Sequence, residues 1–223
     1  MKKNVLISLI FLMIFGIWSC KEDDDVTGNL SYNGYNYKTV KIGSQWWFAE
    51  NLQTTQYNDG TSIPNVTDWG AWRILTTDAF CWYNNDVATY RNLYGALYNW
   101  YAVKTGKLCP SGWHVPSLEE FTILSDYLGG GNVAGGKMKE TGKVHWVSPN
   151  DGATNESGFC GLPGGDRYYG GTFESVGETG NWWSWNYSDT EFAYYLSLAY
   201  FNSSLFRSAD HKGYGFSVRC VRE

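Results

Sequence analysis

The chain has 223 residues, with 22 acidic side chains against 17 basic ones and a formal charge of −5 at pH 7. No basic stripe is present to match a phosphate backbone, which argues against a nucleic-acid partner. Aromatic residues reach 18%, and 26 Gly stand against 5 Pro, which fits an ordered, turn-rich β fold rather than disorder.

The chain opens on a short positive stretch, Met1-Lys2-Lys3-Asn4, followed by an apolar run over 5–18. That run falls short of the roughly 20 apolar residues a membrane-spanning helix needs and suits the apolar region of a signal peptide, residues 1–19. Ile17-Trp18-Ser19-Cys20 resembles the lipobox of bacterial lipoproteins. The resemblance implies that Cys20 is acylated and becomes the new N-terminus, and two or more acyl chains hold a protein on a bilayer stably. Cleavage removes Lys2 and Lys3 and takes the charge from −5 to −7. Lys21-Glu22-Asp23-Asp24-Asp25 is an acidic spacer, and it looks like the signal that sends Bacteroidota lipoproteins to the outer face of the outer membrane. Residues 20–29 are therefore read as lipidated cysteine and linker, and 30–223 as one domain.

Four further cysteines, Cys81, Cys109, Cys160 and Cys220, form an even set in an exported chain, the pattern of disulfides. None lies in a CxxC pair, which argues against a zinc cluster. Three connectivities are open. Cys109–Cys220 is favoured, because it would tie the start of the central helical unit to the last strand, and it leaves Cys81–Cys160.

Asn33-Gly34 is a strong hairpin signal, and the alternation over 35–42 with Gln45-Trp46-Trp47-Phe48 predicts a three-stranded meander. A long irregular stretch over 51–92 is expected to carry function or short elements of its own. Residues 93–103 read as a helix, with Leu93, Ala96, Leu97, Trp100 and Tyr101 on one side and Gly106 as its stop. Ser117-Leu118-Glu119-Glu120 is a capping box opening a second helix that Gly129-Gly130-Gly131 ends. Gly170-Gly171 predicts a hairpin turn, and strands are expected over 182–186, 193–199 and 215–221. Strands, two helices, then strands imply an α+β domain rather than βαβ units.

Several longer motifs are distinctive. Gln45-Trp46-Trp47-Phe48-Ala49-Glu50-Asn51-Leu52, Tyr94-Gly95-Ala96-Leu97-Tyr98-Asn99-Trp100, Cys109-Pro110-Ser111-Gly112-Trp113-His114-Val115-Pro116-Ser117, Glu156-Ser157-Gly158-Phe159 and the closing run from Gly215-Phe216 to Arg222 occur in this order. Together they resemble the Fibrobacter succinogenes major paralogous domain family over about residues 30–223. The 112–121 helix opening, Gly180-Asn181-Trp182-Trp183-Ser184-Trp185 and the closing strand are also similar to motifs of formylglycine-generating enzymes. That wider resemblance implies a C-type-lectin-like fold with short antiparallel strands, two helices and long loops. It does not carry the activity across. The copper-holding cysteine pair of those enzymes has no counterpart in Phe206-Arg207-Ser208-Ala209-Asp210-His211, and Cu(I) needs soft ligands.

No HExxH, GxSxG or Walker motif is present, and the expectation is a binding module rather than an enzyme. The 182–214 segment is dense in aromatics, Asn, Ser and Asp, a composition suited to recognition. Its candidate ligand-binding residues are Trp185, Tyr187, Phe192, Tyr194, Tyr200, Phe201, Ser203, Phe206, Ser208, Asp210, His211 and Tyr214. Within the strand over 193–199, the face of Tyr194, Leu196 and Leu198 is expected to be buried, although either Tyr194 or Tyr195 could serve. The segment also resembles the variable region of diversified C-type-lectin-like proteins. No cofactor is required. Calcium is carried as a candidate on the oxygen clusters Asn84-Asn85-Asp86 and Asn150-Asp151 with Asn155 and Glu156, and the resemblance to formylglycine-generating enzymes adds Asn181. The expected partners are a membrane, through the lipid, and a glycan or protein ligand at the cell surface. An accessory subunit of an outer-membrane assembly and an enzyme of unknown type are the alternatives.

Overall fold

A computed structural model describes residues 26–223. The signal peptide, Cys20 and the acidic run over 21–25 lie outside the described residues.

The chain begins with the expected meander: β1 (Thr27–Tyr32), β2 (Tyr35–Ile42) and β3 (Gln45–Phe48), paired antiparallel. Asn33 and Gly34 both adopt positive φ, as a two-residue hairpin of this hand requires. Pairing begins at Thr27↔Val40, so the ordered sheet starts ahead of the Leu30 boundary read from the sequence.

The 51–92 stretch carries short elements: α1 (Trp69–Arg73), β4 (Phe80–Cys81) and α2 (Val87–Tyr94), the helices capped by Asp68 and Asp86. The single helix expected over 93–103 does not form. Gly95 turns the chain at φ 72, where a Cβ would lie 2.7 Å from the Leu52 carbonyl oxygen, and the Ala96 amide donates to that carbonyl. Leu97 and Tyr98 become β5 (Leu97–Tyr98), paired with β4, and Asn99 caps a new turn, α3 (Trp100–Val103). Ala96, Leu97 and Trp100 are core, as the spacing implied, and Leu93 and Tyr101 are half-buried, but tertiary pairing replaces the middle of the helix.

Next come α4 (Leu118–Tyr127), with both halves of its capping box formed, and α5 (Gly131–Met138), which the glycine run concealed. The glycines let α5 meet another backbone closely: the Gly136 amide donates to the Ser203 carbonyl at 2.9 Å. Lys139, fully buried, gives its ammonium to the carbonyls of Asp151, Ala199 and Asn202 at 2.7–3.0 Å. These contacts fix the 199–205 loop.

Five strands form the second sheet, in the order β10-β9-β8-β6-β7. They are β6 (Gly164–Arg167), β7 (Phe173–Val176), β8 (Thr179–Tyr187), β9 (Phe192–Ala199) and β10 (Phe206–His211). The expected turn at Gly170-Gly171 joins β6 to β7, and β10 is an edge strand inside what the sequence presents as a loop. The predicted strand over 215–221 is mostly a bridge between layers, touching Tyr98, Arg167 and Trp182 in turn. Only its end, β11 (Val221–Arg222), joins a named sheet, next to β3. The result is a mixed α+β domain, dominated by sheet, with five short α-helices and one 3-10 turn among the described residues rather than two helices.

Trp183, Phe48, Tyr98, Phe216 and Val218 fill one core, and Trp47, Phe121, Trp182, Leu196 and Leu198 fill another. Strand β9 contributes to both, Ala193 to the first and Leu196 and Leu198 to the second, while Tyr195 and Ser197 stay half-exposed. Leu196 and Leu198 are buried as expected, Tyr194 is only half-buried, and Ala193 on the opposite face is fully buried. Cys109 and Cys220 form the favoured disulfide. Cys81 and Cys160 do not pair. Cys81 is enclosed with Trp72, Tyr83 and Leu97, whereas Cys160 stands half-buried in a different part of the fold.

Candidate functional site

Residues that pair across antiparallel strands project to the same face. Asn181↔Ser197, Trp183↔Tyr195, Phe206↔Ser197 and Ser208↔Tyr195 therefore place Asn181, Trp183, Tyr195, Ser197, Phe206 and Ser208 on one side of the second sheet, with Asp210 two positions on from Ser208. Trp183 and Phe216 form the floor, their ring centroids 4.5 Å apart. Tyr195 packs on Phe216 at 4.5 Å, Tyr214 on Phe216 at 5.2 Å and Tyr168 edge-on to Tyr214 at 5.3 Å, so half-exposed tyrosines stand over a buried aromatic base.

Three carboxylates complete the face. Asp166, 7% exposed, accepts a 3.2 Å hydrogen bond from Asn181, and Glu174 lies directly across from it in the β6–β7 pair. Burial raises the Asp166 carboxyl to about 7, with the charges of Glu174 and Asp210 adding to the effect and Asn181 opposing it. Asp210 is raised by burial, opposed by the His211 amide and imidazole. Burial raises the Tyr195 and Tyr214 hydroxyls too, and both feel Asp210 and Asp166. Near neutral pH the face offers a partly protonated carboxyl at Asp166, hydroxyl groups of Tyr and Ser, and a negative field. That combination suits hydrogen-bond donors and cations.

Of the twelve residues singled out in the sequence, Phe206, Ser208, Asp210 and Tyr214 meet here. Phe192 and His211 stand at the rim, linked to it through Tyr169, whose ring lies 4.8 Å from His211 and 5.8 Å from Tyr214. The others are elsewhere. Tyr187 packs edge-on to Trp100, with the Lys212 ammonium 4.7 Å from each ring. Tyr194 is on the reverse face, Tyr200 packs against the second core, Phe201 is exposed beside it, and the Ser203 hydroxyl donates to the Asn132 carbonyl. Trp185, 45% exposed, walls a separate cavity of about 320 Å³ with His114, Ser117 and Glu120. There the His114 Nε2 meets Glu120 Oε1 at 2.5 Å, while the second Glu120 oxygen accepts from Ser117.

Asp166, Tyr168 and Glu174 belong to the face but escape the sequence reading. Gly164-Gly165-Asp166-Arg167 has no alternation to mark a strand, and the Asp166–Glu174 approach depends on register. Tyr195 had a signal, as one of two adjacent tyrosines on a predicted strand.

The calcium candidates are engaged with protein partners. The Asn181 carboxamide donates to Asp166 and Thr179, Asn155 accepts from the Cys160 amide, and Glu156 pairs with Lys137 at 2.8 Å. Asn85 and Asn150 donate to carbonyls in turns at positive φ, and Asp86 caps α2. Among the described residues no group of three or more His, Cys, Asp or Glu is arranged to hold a metal ion.

Residues 40–222 match the family model described as the Fibrobacter succinogenes major domain. No curated protein and no solved structure matches the chain.

Proposed function

The chain belongs to the Fibrobacter succinogenes major domain family, and on that footing we propose that it is a surface-displayed lipoprotein that captures a glycan or protein ligand on the β8–β10 face. The observation that carries this reading is the cluster of Tyr168, Tyr195, Ser208, Asp210 and Tyr214, half-exposed to exposed, above buried Asp166. Tyrosines give large contact area at low entropic cost, and neighbouring Ser and Asp supply adaptable hydrogen bonds. The negative field selects sugar hydroxyls or the Lys and Arg side chains of a protein. The role is binding, with no chemical step and no cofactor.

We also propose a C-type-lectin-like fold. In its support, the last strand returns to the first sheet beside β3, the helices lie between the two sheets in the chain, and the Cys109–Cys220 disulfide ties the helical region to the closing segment. Cys20 would hold the domain at the outer membrane, and the acidic run over 21–25 would direct it outward.

Binding to glycan and protein arrays tests the function. Asp210→Asn and Tyr195→Phe, both shape-conserving, should each weaken capture by about tenfold or more, the loss expected for a hydrogen bond to a charged group, without lowering the melting temperature. Undiminished capture by both variants would move the site elsewhere.

A further inference from the structure

A second and larger cavity, about 650 Å³, opens beside the meander and α2. Its walls include Lys38, Glu50, Arg91, His145, Cys160 and Arg219, and it shares no lining residue with the β8–β10 face. Among the described residues none of its three cations, Lys38, Arg91 and Arg219, has a carboxylate within ion-pair distance. Arg219 is the most telling of them. It is 1% exposed, and its guanidinium donates to Asn51 Oδ1 and to the carbonyls of Phe48, Phe159 and Cys160. Neutral acceptors satisfy its hydrogen bonds, and the cavity's carboxylates, Glu50 and Glu140, make no direct ion pair with it, a costly arrangement in a protein interior. Burial lowers its pKa, and the neighbouring Cys160 and Glu50 act to raise it. One Glu50 oxygen already accepts from the Lys38 amide at 3.0 Å.

Cys160 is held for exposure to this cavity. It sits at φ 54, with its amide bonded to Asn155 Oδ1 at 2.8 Å. His145 lines the same space, its Nδ1 fixed on Glu140 at 2.7 Å, which leaves Nε2 for proton exchange. Cys81 is the built-in contrast. It is fully enclosed, and burial pushes its thiol up to about 12, the signature of an inert structural cysteine.

We propose that this cavity is a covalent capture site for small anionic disulfides, with Cys160 as the nucleophile and Lys38, Arg91 and Arg219 as the charges that draw the ligand in. The Cys160 thiolate attacks one sulfur of the ligand disulfide. The ligand's S–S bond breaks as the Cys160–ligand bond forms. The other half of the ligand leaves as a thiolate and takes up the proton that Cys160 gave up. The cysteine is oxidised and the released sulfur is reduced, so the disulfide is the only oxidant.

The test is intact-mass and peptide mapping of the full-length chain carrying Cys20→Ser, Cys109–Cys220 intact, with oxidised glutathione as the anionic probe and cystamine as the cationic one. A single adduct on Cys160 is expected, formed about tenfold or more faster with glutathione at low salt, and the preference should shrink as salt screens the cavity. Lys38→Gln and Arg91→Gln should cut the rate with glutathione by more than the rate with neutral hydroxyethyl disulfide, and so shrink that preference. Cys160→Asn, a residue that tolerates positive φ, should abolish the adduct. The proposal is overturned by equal rates for the two charged probes, by labelling of Cys81 as fast as Cys160, by no adduct at all, or by an adduct that survives Cys160→Asn.

Discussion

At the scale of single residues, Asp166 sets the electrostatics of the proposed binding face. Its carboxyl titrates near 7 in the folded chain against an ordinary value of 3.8. Below about pH 4 folded and unfolded chains both carry the proton. Between there and pH 7 the unfolded chain ionises while the folded one stays protonated, so stability falls as pH rises through that window. The full penalty, up to roughly 4 kcal/mol, stands above pH 7. Asp166→Asn should therefore melt higher than the parent at pH 8 and level with it below pH 4, as read by thermal unfolding at the two pH values. An equal difference at both would remove Asp166 as the titrating group. Little of this was legible in the sequence. Ser208, Asp210 and Tyr214 stand out by composition, but Asp166 is exceptional only because β6 places it under Asn181 and across from Glu174. Conversely Tyr200 looks like a ligand contact in sequence and is spent on packing.

Elements formed by local chemistry are the ones the sequence reveals. The Asn33-Gly34 hairpin and the Ser117–Glu120 capping box need only their own residues, and both stand as read. The helix expected over 93–103 needed its neighbours to be absent: Leu52 and β4 take its centre, and no periodicity within the segment reports on them. Helix α5 fails in the opposite direction, because Gly131, Gly135 and Gly136 mark it as a breaker. Gly135 and Gly136 serve close approach, since a Cβ on Gly135 would collide with the Ser204 carbonyl and one on Gly136 with the Gly152 carbonyl. Helix propensity alone says that Gly→Ala gains about 1 kcal/mol. Gly135→Ala should instead cost about 1–3 kcal/mol, the range for overpacking, measured by urea denaturation. A gain would mean that the 202–204 loop does not need this contact. Loosening that loop should also disturb β10, which it feeds.

For the whole molecule, the domain as proposed would join a display surface to a point of attachment. The first and last strands, β1 and β11, form the two edges of the first sheet, and the candidate face belongs to the second sheet, on the β10 edge. The α+β class and the Cys109–Cys220 tie follow from element order and cysteine placement. The other cysteine pairing fails because equal numbers of thiols say nothing about where each is buried. If Cys20 carries the lipid, Cys20→Ser should shift the chain from the membrane fraction to the soluble one, and protease should remove the parent, but not an inner-leaflet control, from intact cells. Retention of Cys20→Ser on membranes would refute the anchor. The central claim, that the β8–β10 face is what this protein binds with, is tested most directly by array binding of the parent beside Asp210→Asn and Tyr195→Phe at matched folding. Loss of about tenfold or more in captured ligand with unchanged melting temperature is the predicted result, and full capture by both folded variants would contradict it.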